Sequence, residues 1–174
     1  MPTETEKSLG PFVKVVIRSP IDVVWKEMTD FDSYGKWNSF IIKVEKVKES
    51  STATNTCWDV GDLMALTVKW SDGKQANSVE LITILDAPPT RENESTILRT
   101  ANLTYKFTGW LSFFNLVRAE RNQLLRELDK DTTEYTTQIA FSGLFSGHVP
   151  VDSVAEGFQR QAQDLKKRCE SEGQ

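Results

Sequence analysis

The residues best placed to do chemistry lie on two neighbouring segments near the end of the chain, Val117 to Leu128 and Thr133 to Phe141. Both alternate with the period of two that sends successive side chains to opposite faces of a strand. On the second segment Tyr135, Thr137, Ile139 and Phe141 share one face, and Glu134, Thr136 and Gln138 share the other. The first set is the apolar one and is expected to point inward, carrying two hydroxyls with it. On the first segment Ala119, Arg121, Gln123 and Leu125 alternate with Glu120, Asn122 and Leu124. The Ala/Leu set is taken as the inner one, although Leu124 argues for the opposite register. An inward Arg121 would be the most informative residue of the chain. A guanidinium cannot shed its charge, and burying it without an acceptor costs several kcal/mol, on the order of a broken buried ion pair. Three readings are open: it meets a carboxylate, enolate or phenolate of a ligand, it pairs with an internal acid such as Glu80, or it faces solvent. Arg99, between Ile97 and Ala101, invites the same readings. Tyr135 is either a proton donor and hydrogen-bond anchor or a packing tyrosine. His148, the one histidine, is either a proton carrier titrating near neutrality or a solvated loop residue.

The elements that must position these groups follow from pattern. Phe12 to Ile17 reads as a strand, and Ser19-Pro20 starts a short helix, with Ser19 as cap, Pro20 at the first helical position and Asp22 reaching back. Val24, Trp25 and Met28 share one side of that helix, and a second helical turn ends at Trp37-Asn38. Phe40 to Val47, Leu63 to Trp70, Val79 to Leu85 and Thr96 to Tyr105 read as strands. Asp129 to Thr132 makes a tight turn between the two strands described first, and links this short imply an antiparallel sheet. After Pro150, Val154, Phe158, Gln161/Ala162, Leu165 and Cys169 recur at steps of three and four, with Ser153 and Glu156 at capping-box spacing. That is an amphipathic helix of about five turns whose apolar stripe must lie on the sheet. The expected fold is α+β, in the order β-α-α-β6-α. Residues 1–10 are expected to be a disordered tail and residues 11–172 one domain.

Composition narrows the function. The chain has 174 residues and a net charge of -4, which disfavours nucleic acid, since phosphates call for a basic face. No apolar run is long enough for an integral membrane segment, and the polar, acidic start does not resemble a signal peptide, so the expected location is cytoplasmic. Cys57 and Cys169 are expected to be separate reduced thiols. No metal-ligand spacing, phosphate loop or nucleophile motif is present, so no metal and no cofactor is implied.

Several short motifs, in order, resemble the SRPBCC (START-like) helix-grip superfamily. They are the Ser19-Pro20-x-x-Val23-x-Trp25 start, the Asp30-Phe31-x-x-Tyr34-x-x-Trp37-Asn38 turn, Ala119 to Gln123, Thr133 to Thr137, Phe141-Ser142-Gly143, Gly157-Phe158 and Leu165-Lys166. Each is weak alone; together they span nearly the whole chain. The glycine-rich loop of the pollen-allergen and pathogenesis-related branch is missing from Lys48 to Asp62, which argues against that branch's ligands. The resemblance implies a curved antiparallel sheet of about seven strands gripping the last helix around an apolar pocket. It implies a small hydrophobic ligand (lipid, sterol, quinone or polyketide-like) or, alternatively, a cofactor-independent cyclase, aromatase or dehydratase working in the same pocket. On that reading Arg121 and Tyr135 would be catalytic, and Trp37, Trp70, Arg99, Trp110, Gln123, Thr137, Phe141 and Phe158 would hold the ligand. The apolar run Trp110-Leu111-Ser112-Phe113-Phe114 would be a lid, a membrane-touching loop or the contact of a homodimer.

Overall fold

The computed structural model describes residues 8–47, 57–91, 98–109, 116–144 and 146–171. Seven strands, β1 (Ser8–Ile17), β2 (Ile41–Lys46), β3 (Leu63–Lys69), β4 (Gln75–Asp86), β5 (Thr100–Phe107), β6 (Arg118–Asp129) and β7 (Thr132–Ser142), form one sheet. Every pairing is antiparallel and the order is β1-β7-β6-β5-β4-β3-β2. Helices α1 (Ile21–Thr29) and α2 (Tyr34–Trp37) connect the two edge strands, and α3 (Val151–Ser171) closes the chain. Class, strand number and element order are those expected from the sequence.

Details differ where tertiary contacts override local signals. β1 begins at Ser8, so residues 8–10 belong to the sheet and not to a tail. β5 begins at Thr100, so Arg99 lies just ahead of the strand. The cap of α1 is Pro20, whose carbonyl accepts the Val23 and Val24 N–H groups. Ser19 is buried, and its own carbonyl accepts the Thr133 hydroxyl across the sheet at 2.8 Å. Helix α3 starts at Val151, which puts Ser153 inside the first turn instead of at the cap.

Alternation selects the face turned to α3. Val13 and Ile17 on β1, Leu125 and Tyr135 on β6 and β7, and Leu103 and Tyr105 on β5 are buried together, and Met64, Leu66 and Ile82 extend the same layer. From the helix, Val154, Phe158, Ala162, Leu165 and Cys169 face them. Each large apolar side chain covered in this way contributes roughly 1.5–3 kcal/mol. Register breaks at Leu9/Phe12, Ile41/Lys43, Ile82/Ile84 and Glu127/Asp129 interrupt the ladder, and such bulges bend strands and increase their twist.

The polar side of α3 ties down both edges of the sheet. Asp164 Oδ2 accepts the Ser39 N–H at 2.8 Å and the Ser39 hydroxyl at 2.6 Å, ahead of β2. Arg160 donates to the carbonyls of Ser39 and Lys69. At the opposite edge Lys166 Nζ donates to the Val16 carbonyl, and Arg168 Nε donates to the buried Glu27 carboxylate of α1 at 3.0 Å. Among the described residues no helix is long and apolar enough to cross a membrane, and no disulfide links Cys57 to Cys169.

Candidate functional site

Between α3 and the sheet lies a cavity of about 220 Å³. Its apolar wall comes from Phe40, Ile41, Leu66, Val68 and Trp70 on one side and from Ile139, Val154 and Phe158 on the other. Small side chains make the room: Ala76, Ser78 and Ala119 occupy inward positions on β4 and β6 where a larger residue would fill the space. On α3, Gly157 seats the Phe40 ring of the cavity wall: a Cβ there would collide with that ring, so only glycine lets it lie against the helix.

Three titratable side chains share this apolar wall: Arg121, Tyr105 and Glu80. Register explains their grouping. Arg121 on β6 pairs with Tyr105 on β5, and Tyr105 pairs with Ile82 on β4. Glu80 lies two residues from Ile82, on the same face. Arg121 is 4 % exposed. Its Nε–H donates to Thr137 Oγ1 at 2.9 Å and its Nη1 to the Tyr105 hydroxyl at 3.1 Å. Its guanidinium stacks 3.7 Å from the centre of the Phe158 ring. The third nitrogen, Nη2, is buried and finds no acceptor among the described residues. Burial by itself opposes the charge, the surrounding tyrosine oxygens favour it, and the balance lies above the ordinary value. The arginine therefore enters the cavity charged, with one free donor and no carboxylate within salt-bridge distance among the described residues.

Glu80 is the complementary group. Burial pushes its carboxyl up to about 7, opposed by a hydrogen bond with Ser78 and by the charge of Arg121. The Tyr105 hydroxyl is raised by burial to about 12, against the pull of the same arginine, and stays protonated at neutral pH. A fixed cation, an acid that titrates near neutrality and an apolar wall can bind an oxygen-bearing organic molecule, or can exchange a proton with it.

The expected site residues divide into three groups. Arg121, Trp70 and Phe158 line the cavity, and Thr137 holds Arg121 in place. Tyr135 and Gln123 point inward as expected but lie beneath the cavity wall. The Tyr135 hydroxyl donates to Gln123 Oε1 at 2.7 Å, and both residues are almost completely buried. Arg99, Trp37 and Phe141 lie away from the cavity lining. Arg99 is not in the cavity: it donates to Asp22 Oδ2 at 2.8 Å and to Glu127 Oε1 at 3.1 Å, and its charge is fully engaged at the end of the sheet. Trp37 packs edge-on against Tyr34, with ring centres 4.9 Å apart, and its Nε1 donates to Ser33 Oγ. Phe141 is buried below the lining against Gly10, where a Cβ would come within 2.7 Å of its ring. Trp110 and the rest of the run 110–114 lie outside the described residues. His148 sits on an exposed 3-10 turn, Ser146–His148, ahead of α3 and away from the lining.

Glu80 entered the sequence reading only as a partner for Arg121, and Tyr105 only as the end of a strand. Their signal was present. Ser78, Glu80 and Ile82 alternate on β4, and a lone carboxylate within an inward-facing set marks a position that needs a reason.

No protein-family model matches the sequence, and no curated protein matches it. Solved structures do match. A major latex-like protein from Panax ginseng superposes with a TM-score of 0.65 at 15% identity, covering 95% of this chain and 97% of that one. A START superfamily protein from Mycobacterium smegmatis gives a TM-score of 0.62 at 13% identity, over 94% of this chain and 99% of its own. Norcoclaurine synthase from Thalictrum flavum, in complex with dopamine and hydroxybenzaldehyde, gives 0.60 at 12% identity, over 94% and 86%. Identities this low establish shape and nothing finer. That shape is the START-like helix-grip fold of SRPBCC proteins.

Proposed function

We propose that the cavity receives a small, largely apolar organic molecule and holds one of its oxygens, a carbonyl or an oxyanion, against Arg121. The observation that carries this reading is the Nη2 donor, buried beside an apolar space and without an acceptor among the described residues. A charged donor left in that condition costs stability, and a ligand oxygen would relieve the cost. The lipid, sterol, quinone and polyketide-like classes all supply such an oxygen on an apolar body. Similar folds that hold small aromatic molecules, such as the synthase bound to dopamine and hydroxybenzaldehyde, support the reading.

A matched pair of fluorescent probes tests it. N-phenyl-1-naphthylamine is 1-anilinonaphthalene-8-sulfonate without its sulfonate. Both should bind the wild-type protein. Arg121→Leu should lower affinity for the sulfonate by at least about tenfold, the value of a hydrogen bond to a charged group, and leave the neutral probe within about threefold. A sulfonate affinity unchanged by Arg121→Leu would refute the role given to the guanidinium.

A second reading, an enzyme of the cyclase, aromatase or dehydratase kind, is favoured by Glu80. A carboxyl poised near 7 in the cavity that holds Arg121 can take a proton from the carbon beside a carbonyl while the guanidinium steadies the enolate oxygen. No cofactor is needed for that step. The protein should then speed deuterium exchange at the α-carbon of α-tetralone in D2O over buffer alone, and Glu80→Gln should abolish the acceleration. Exchange at the buffer rate would eliminate the enzyme reading and leave the binding one standing.

A further inference from the structure

Arg121 and Glu80 line one cavity without touching each other, and their separation carries information about the ligand. Tyr105 stands between their strands, its hydroxyl already accepting from Arg121 Nη1. Ser78 lies beside Glu80 on β4 and bonds its carboxylate. Among the described residues, the elements packed against Glu80 present two other titratable groups to the cavity, Arg121 from β6 and Tyr105 from β5. Strands β2 and β3 contribute Ile41, Leu66, Val68 and Trp70, and α3 contributes Val154 and Phe158. Among the described residues, the cavity holds one permanent cation and one carboxyl.

We propose that Glu80 balances the charge of Arg121 until an anionic ligand does so, and that Glu80 takes up one proton from solvent as that ligand binds. The inference rests on the reading of the cavity as a ligand site and narrows it to small apolar acids: carboxylates, sulfonates and acidic phenols. An anion on Nη2 would otherwise share a low-dielectric space with a second negative charge, which like-charge repulsion disfavours. The balance of the step is simple. A proton moves from solvent to the Glu80 carboxylate, no covalent bond of the ligand changes, and the cavity keeps its net charge. Because burial already lifts Glu80 to about 7, the exchange falls in the neutral range. Anion affinity should be level below that value and fall as pH rises above it.

Calorimetric titration of the wild-type protein with 1-anilinonaphthalene-8-sulfonate, at pH 8 in phosphate and in Tris, counts the protons directly, since the sulfonate itself stays ionised. The expected result is uptake of about 0.5 to 1 proton per bound probe, with affinity falling up to about tenfold per pH unit above neutrality. N-phenyl-1-naphthylamine should bind with no proton uptake and no pH dependence. Glu80→Gln should bind the sulfonate with no uptake and a flat profile. Sulfonate binding without uptake, or uptake that persists in Glu80→Gln, overturns the counter-ion exchange and leaves the binding site intact. Failure of both probes to bind wild-type protein at pH 6 overturns the site and the exchange together. The wild-type proton count decides the matter even if the Glu80 variant does not fold.

Discussion

Replacing Arg121 with methionine should make the protein more stable while disabling its cavity. The guanidinium is 4 % exposed and, among the described residues, has no carboxylate within salt-bridge distance and carries one buried donor that finds no acceptor. Exchanging buried ionic groups for apolar residues of similar volume is often stabilising, by about 1–4 kcal/mol. Against that gain stand two lost hydrogen bonds, to Thr137 and Tyr105, at about 0.5–1.5 kcal/mol each. Methionine keeps apolar contact with Phe158. The expected net effect at pH 6, where Glu80 is mostly protonated, is a gain of about 1 kcal/mol, or about 2–4 °C in Tm for a chain of this size. At pH 8 the gain should shrink, because the Glu80 carboxylate then loses its counter-ion. Urea unfolding followed by tryptophan fluorescence, with an unchanged m-value, measures both. A loss of 2 kcal/mol or more at pH 6 would refute the reasoning. It would mean that Arg121 is an integral brace of the fold and not a donor held ready for a ligand.

Three further outcomes follow from the same geometry. Glu80→Gln should remove a pH dependence of stability. The folded group titrates at about 7 against an ordinary 4.5, so its stabilising contribution is complete below the unfolded value and is lost as pH rises through 7. The difference is about 3 kcal/mol, visible as a urea midpoint that falls between pH 5 and pH 8 in the wild type more than in the variant. Glu127→Ala should cost about 2–3 kcal/mol by chemical denaturation, since it strips Arg91 and Arg99 of a buried partner. The Arg99 hydrogen bond, outweighing burial, holds the Glu127 carboxyl below the ordinary range, so this contribution is present above that range and lost on acidification, and the variant should lack that acid limb. Gly157→Ala should destabilise by about 1–2 kcal/mol despite the better helix propensity of alanine, because Phe40 must move. Thermal melting reads the first effect, and weaker binding of N-phenyl-1-naphthylamine reads the displaced cavity wall.

Local chemistry determined what local chemistry can. The spacing of Val154, Phe158, Ala162, Leu165 and Cys169 specified α3 and its buried stripe, because a helix repeats over a few residues and an amphipathic one needs a surface to cover. Alternation on β6 and β7 singled out Arg121, Gln123, Tyr135 and Thr137 as a set. All four are buried, with Leu124 on the outer face. Which of those residues meet a ligand was a different question. Tyr135 donates to Gln123, whereas Arg121 next to them finds no third acceptor among the described residues. Arg99 carried the same sequence signal as Arg121, but its partner Asp22 lies 77 residues away, and no local pattern announces a contact of that range. The cavity itself is space left over. Ala76 and Ser78 on β4 and Ala119 on β6 lie far apart in the chain, and their missing side chains add up to a void only where the fold superimposes them. Sequence reports what each residue brings, but unfilled volume and unpaired charge are properties of the sum.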